Sequence, residues 1–403
     1  MPSGRKLALI LAAVLYVGMS VFPLAAQQSR WEELNVQVTA LYRQGKYAEA
    51  VPKALEALRV AEATFGSEHI NVATSLNNLA ELYYAQGKYA EAEPLYKRSL
   101  AIWEKALGPE HPDAAQSLNN LAELYRAQGK YAEAEPRYNR SLAIREKALG
   151  SEHPDVAQSL NNLALLYQEQ GKYGEAEPLL KRSLAIREKA LGPGHPDVAL
   201  SLNNLAALYD SQGRYAEAEP LYKRSLAIQE KVLGPDHPEV AASLNNLAGL
   251  YRAQGKYAEA EPLYKRSLAI KEKALGPEHP AVATSLNNLA GLYRAQGKYA
   301  EAEPLNRRSL AIWEKALGPD HPNVAAGLDN LAGLYREQGK YAEAEPLYRR
   351  SLAVLEKALG PDHPNVAQTL ENYAKLLRKT HREAEAEQME ARAKAIRAKK
   401  AVQ

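Results

Sequence analysis

Cysteine is absent from the 403-residue chain, phenylalanine occurs twice, and tryptophan and methionine three times each. Without cysteine there is no disulfide framework, no zinc–thiolate site, no cysteine nucleophile and no lipoprotein-type lipidation. An excess of charge is also lacking. Lysine and arginine number 51 against 48 aspartates and glutamates, a formal net charge of +3, whereas a nucleic-acid binder carries a marked basic excess. Missing too are a phosphate-cradling glycine loop, an HExxH pair and a serine in a nucleophile elbow. The chain therefore reads as a non-enzyme with no cofactor, no metal and no nucleic acid.

Long apolar runs are equally scarce, and one stands out. It extends from Leu7 to Phe22, follows the basic Arg5 and Lys6, and precedes the small residues Ala25 and Ala26. Residues 1–26 thus have the three parts of a secretory signal peptide. Leu24 sits where a smaller residue is preferred before a cut after Ala26. Residues 7–26 are also close to the ~20 needed to span a bilayer, so a membrane anchor is the alternative. Pro23, Gln27, Gln28 and Ser29 favour cleavage, and either outcome puts the rest of the chain outside the cytoplasm, periplasmic or secreted.

What the sequence has in abundance is repetition. Gly45, Gly87, Gly129, Gly171, Gly213, Gly255, Gly297 and Gly339 recur every 42 residues, as do His69, His111, His153, His195, His237, His279, His321 and His363. Fixed periods of 20 to 50 residues mean a stack of supersecondary units. Within a unit Leu118, Leu121, Ala122 and Tyr125 line one face of a first helix. Gln-Gly-Lys ends it, and a second helix follows with Tyr131, Ala134, Tyr138, Leu142 and Leu149 on its buried side. A His-Pro loop leads to the next unit, with proline suited to the first helical position. Pro52, Pro94, Pro136, Pro178, Pro220, Pro262, Pro304 and Pro346 fall about a turn into each second helix and are expected to bend it.

Large apolar, Leu-Ala, tyrosine, alanine and aromatic positions at Leu76, Leu79-Ala80, Tyr83, Ala92 and Tyr96 resemble the tetratricopeptide repeat. The 42-residue period and the LNNLAxLYxxQGKYxEAEPLYxRSL signature resemble its kinesin-light-chain-like subclass. The resemblance implies an all-α, right-handed superhelical solenoid of about nine helix–turn–helix pairs. Residues 30–66 form a degenerate first repeat, 69–362 seven near-identical ones, and 363–400 a divergent capping repeat in which His381 replaces the glycine. Polar end units close a solenoid's exposed apolar faces.

The repeated histidines invite a metal reading, but equivalents in stacked helices lie ~8–10 Å apart, and metal ligands sit ~2 Å from an ion. Helix capping or loop packing is expected instead. The paired asparagines carry more promise, since asparagine is a mediocre helix former and its amide offers donors and an acceptor. In tetratricopeptide relatives the asparagine just before the Leu-Ala/Gly step holds peptide ligands. That place is Asn78, Asn120, Asn162, Asn204, Asn246, Asn288, Asn330 and Asn372 here. An inter-repeat asparagine ladder is the structural alternative. Further along the same face, Gly249, Gly291 and Gly333 accompany Arg252, Arg294 and Arg336, as if room had been made for a ligand whose carboxylates the arginines grip. The expected function is a scaffold holding an extended, acidic peptide in its concave groove. An envelope assembly protein that self-associates or tethers is the alternative. Partners are expected to be proteins or peptides, with membrane contact only if the amino-terminal segment is retained.

Overall fold

The computed structural model describes residues 25–402. The apolar run Leu7–Phe22 lies outside them, and no described helix is long and apolar enough to cross a membrane. The described residues form 18 helices and no strand. First helices are α1 (25–43), α3 (Ile70–Ala85), α5 (Pro112–Ala127), α7 (Pro154–Glu169), α9 (Pro196–Ser211), α11 (Pro238–Ala253), α13 (Pro280–Ala295), α15 (Pro322–Glu337) and α17 (Pro364–Lys379). Second helices are α2 (Tyr47–Phe65), α4 (Tyr89–Leu107), α6 (Tyr131–Leu149), α8 (Tyr173–Leu191), α10 (Tyr215–Leu233), α12 (Tyr257–Leu275), α14 (Tyr299–Leu317), α16 (Tyr341–Leu359) and α18 (Glu383–Val402). Each helix packs on its neighbours in sequence, which gives an all-α solenoid.

The unit builds itself from a few local devices. His111 accepts the Asp113 N–H on Nδ1 at 3.2 Å, caps α5, and is followed by Pro112 at the first helical position. All eight repeated histidines cap a first helix in this way. Their Nδ1 lone pairs are therefore committed to backbone. At the other end Gly87 takes φ +68, and Lys88 N–H reaches back to Tyr83 O at 2.8 Å, closing α3. The second helices run on through their prolines. A serine buried in the second helix of repeats two to eight, such as Ser99, donates to a carbonyl of the first helix, here Ala73 O at 2.8 Å. Seven such bonds, each worth about 1 kcal/mol, lock the two helices of repeats two to eight in one register.

First helices also touch the next first helix along, from α5 with α7 to α15 with α17. No comparable approach occurs between successive second helices, so the first helices line the concave side. Curvature is tight enough for the superhelix to meet itself. A Cβ on Gly45 would lie 2.8 Å from Pro280, one on Gly87 2.8 Å from Pro322, and one on Gly129 3.1 Å from His363. The turns of repeats one, two and three thus seat on the entries to repeats seven, eight and nine, one superhelical turn taking about five and a half repeats. His321 is buried in this seam. Its second ring nitrogen donates to the backbone carbonyl of Ala85, and burial pushes its pKa down to about 4. His279 is lowered by the same cause and bonds to the backbone of Arg43.

Candidate functional site

The asparagines occupy the concave helices and form a ladder. Asn120 Nδ2 donates to Asn77 Oδ1 at 2.8 Å, and the same bond runs from Asn78 to Asn35, Asn162 to Asn119, Asn204 to Asn161, Asn246 to Asn203, Asn288 to Asn245 and Asn330 to Asn287. Asn372 closes it on Asp329 at 2.9 Å. Each bond uses one donor of one amide and one acceptor of the other, which leaves second asparagines such as Asn288 and Asn330 an oxygen and one N–H; the oxygens of Asn120 and Asn204 also accept from Gln116 and Asn203. The ladder and a ligand-facing edge are therefore compatible. At the amino-terminal end Val36 stands where the ladder amide would be and is 69% exposed.

Two of the three glycines, Gly291 and Gly333, have a different use from the one expected. A Cβ on Gly291 would fall 2.6 Å from Arg252 Nη1, and one on Gly333 3.0 Å from Arg294 Nη1. The room they make is filled by the arginine of the preceding repeat. A row of three free cations does not follow either. Arg294 is clamped two-pronged on Glu337, at 2.9 Å and 2.6 Å, and the Glu337 bond holds its pKa above the usual range. Arg336 is tucked onto Tyr348 Oη and Asn372 O, both at 3.3 Å. Arg252 alone has no hydrogen bond or ion pair with the described residues and is exposed. The half-buried Asp210 carboxyl, raised by its burial, is pulled partly back by the field of Arg252. In the amino-terminal half Arg126 is closed off by Glu123 and Glu169.

Arg252, Asn288, Asn330 and Arg294 come together in one cleft of about 460 Å³, joined by Asn287, Gly291, Ala295, Asn306 and Glu337. Asn246, Arg336 and the remaining ladder asparagines lie elsewhere along the concave side. Asn306 is the residue that sequence reasoning missed. In the second helices of repeats two to eight its position holds Tyr96, Tyr138, Leu180, Tyr222, Tyr264, Asn306 and Tyr348. The tyrosines reach through to the concave helix: Tyr96 Oη donates to Glu81 and Tyr138 Oη to Glu123, both at 2.8 Å. Asn306 stops short and leaves the space under Gly291 open. It is 3% exposed, and its amide makes no hydrogen bond with the described residues. Aligning the repeats against one another, column by column, is the signal that finds it. Within the described residues no group of histidines and carboxylates is placed to hold a metal ion.

Known proteins agree with this architecture. The family model of the tetratricopeptide repeat matches eight overlapping segments, from residues 34–105 to 324–399. The crystal structure of the nearly identical TPR-like repeats of a putative kinesin light chain from Podosopora anserina is 38% identical. It covers 51% of this chain and 98% of its own, with a TM-score of 0.42. BtubC (BKLC) from P. vanneervenii is 25% identical over 60% of this chain and 92% of its own, with a TM-score of 0.45. Rap protein complexed with Competence and Sporulation Factor shares the fold at 17% identity, covering 81% of this chain and 99% of its own, with a TM-score of 0.53. None of the curated proteins matches. The chain belongs to the tetratricopeptide repeat family, in its kinesin-light-chain-like subclass.

Proposed function

We propose that this chain is an exported, non-catalytic scaffold that holds an extended peptide along its concave helices, with repeats six to eight as the seat. A protein-interaction scaffold is what the family's repeats and the Rap-like fold support. The finer reading rests on one observation: the cleft that gathers Arg252, Asn288 and Asn330 around open space. An extended backbone presents alternating N–H and C=O groups, and the spare edges of the ladder amides offer matching partners. Arg252 adds a cation that no carboxylate bonds directly, Asp210 reaching it only through its field, which favours an acidic peptide. The test is Arg252→Glu in the full chain, used as bait for a random peptide display library. Loss of the acidic peptides that the wild type selects supports the reading, and their equal recovery by both proteins refutes it.

A second reading, self-assembly, is favoured by the seam. The turn edges that meet an entry in repeats one to three recur uncovered in repeats four to eight. Gly171, Gly213, Gly255, Gly297 and Gly339 face nothing within 4 Å, although their equivalents Gly45, Gly87 and Gly129 are covered. Sedimentation separates the two readings, because growth of the particle with concentration supports assembly and a constant monomer excludes it.

A further inference from the structure

The near-identity of the repeats makes each departure informative, and the departure at Asn306 is polar, buried and open to a cleft. Elsewhere in repeats two to eight the position is filled by a tyrosine ring, or by Leu180. Those side chains are buried: Tyr96, Tyr138 and Tyr348 are at most 1% exposed, and Leu180 is fully enclosed. Replacing such a ring with a short amide gives up apolar contact and sets a polar group with no protein partner in the cleft wall. That amide gains a partner when something that enters the cleft bonds to it. The other three walls say what that is. At the entrance the Arg252 guanidinium occupies the room that Gly291, with no side chain, leaves for it. Glu337 is engaged by its clamp on Arg294, whose charge it balances. The Asn287 oxygen is taken by Asn330, which leaves the Asn287 N–H groups free.

The lining therefore offers donors from Arg252, Asn287 and Asn306, and in Arg252 a guanidinium that no carboxylate bonds directly. An apolar or aromatic side chain would enter without satisfying any of these groups. A carboxylate satisfies several at once.

We propose that the cleft of the seventh repeat is a carboxylate subsite, in which one glutamate or aspartate side chain of a bound peptide enters past Gly291 and is held by Asn306 and Arg252. This rests on the peptide-holding reading and adds to it a fixed position: the superhelix demands acid at one place in the ligand, opposite repeat seven. In the other repeats from two to eight the tyrosine, or Leu180, plugs the equivalent hole, so the reading frame of the peptide along the groove is set here.

The experiment selects a random 12-residue phage-displayed peptide library on the full chain and, in parallel, on Asn306→Tyr and Arg252→Gln. Asn306→Tyr restores the residue that five of those repeats carry, so it folds, and circular dichroism checks this. The expected result is an acidic residue enriched at one position by the wild type and lost with either variant. For the best wild-type peptide, Asn306→Tyr weakens binding by about tenfold or more, and Glu→Gln in the peptide weakens wild-type binding to a similar extent. Against Asn306→Tyr, the Glu and Gln forms of the peptide bind alike. If Asn306→Tyr selects the same acidic position with unchanged affinity, the subsite is overturned while peptide holding stands. Selection of an aromatic position in place of the acid overturns it as well. If the wild type enriches nothing, peptide holding itself fails and the subsite falls with it.

Discussion

Gly87→Ala tests whether the superhelix is closed on itself in solution. Two costs are predicted, and a control separates them. Gly87 holds φ +68, where an L-residue pays roughly 1–2 kcal/mol. Its Cβ would also lie 2.8 Å from Pro322 Cδ and 3.1 Å from His321 Cδ2. Neither neighbour is a flexible side-chain end: the proline ring is part of the backbone of α15, and the imidazole is fixed by bonds to Asn323 and Ala85. Overpacking of this kind costs a further ~1–3 kcal/mol, unless the seam parts first, in which case the extra cost equals what the seam contributes. Gly213 has the same place in its repeat, a φ of +72 and nothing within 4 Å. Gly213→Ala therefore carries the backbone cost alone. The chain has no cysteine of its own, so a dye pair placed by Ala90→Cys and Ala358→Cys, on opposite lips of the seam, reports its opening without background. Gly87→Ala should lower the energy transfer and the urea midpoint by more than Gly213→Ala does. Equal midpoints and unchanged transfer for the two variants would show that the seam contributes nothing.

Acid should loosen the same seam. An exposed histidine titrates near 6.5 and buried His321 near 4, so between those values the open state takes up a proton that the closed state refuses. Closure is unaffected above pH 6.5 and loses stability as pH falls towards 4, by roughly 3 kcal/mol at the lower limit. Transfer between the two dyes should fall over that window, and His321→Asn, which keeps a capping acceptor, should flatten the profile; a flat wild-type profile refutes the seam's dependence on a neutral imidazole. The ladder bond from Asn204 to Asn161 should show a coupling of about 0.5–1.5 kcal/mol in a double-alanine cycle read by urea melts, and strict additivity would mean the bond carries no energy. His381 is the one non-glycine with positive φ among the described residues, so His381→Gly should add about 1 kcal/mol of stability and raise the thermal midpoint; a lower midpoint would show that its side chain is needed there.

Which features could be read in advance follows from the range of the interactions that make them. Helix ends are set within a few residues. His-Pro, Gln-Gly-Lys and the 3.6-residue apolar spacing therefore announce the helix pairs, and the 42-residue period announces their stacking. The left-handed backbone at His381 was likewise implied by the glycines of the other repeats. Side-chain pairings between neighbouring repeats are harder. Arg294 and Arg336 read as free cations because their partners, Glu337 and Tyr348, lie 43 and 12 residues further on and differ from one repeat to the next. The glycines at 291 and 333 read as space for a ligand because sequence shows that a side chain is missing but not what moves in. Furthest out of reach was the seam. It depends on the small rotation added at each repeat, which no single repeat encodes in a recognisable motif. Without the seam His321 would be as open to solvent as its equivalents His111 and His153. Asn306 is hidden in the sequence for the same reason. As an isolated asparagine on a helix it is unremarkable, and it becomes a hole only when the rings above and below it in the stack define what should have filled that place.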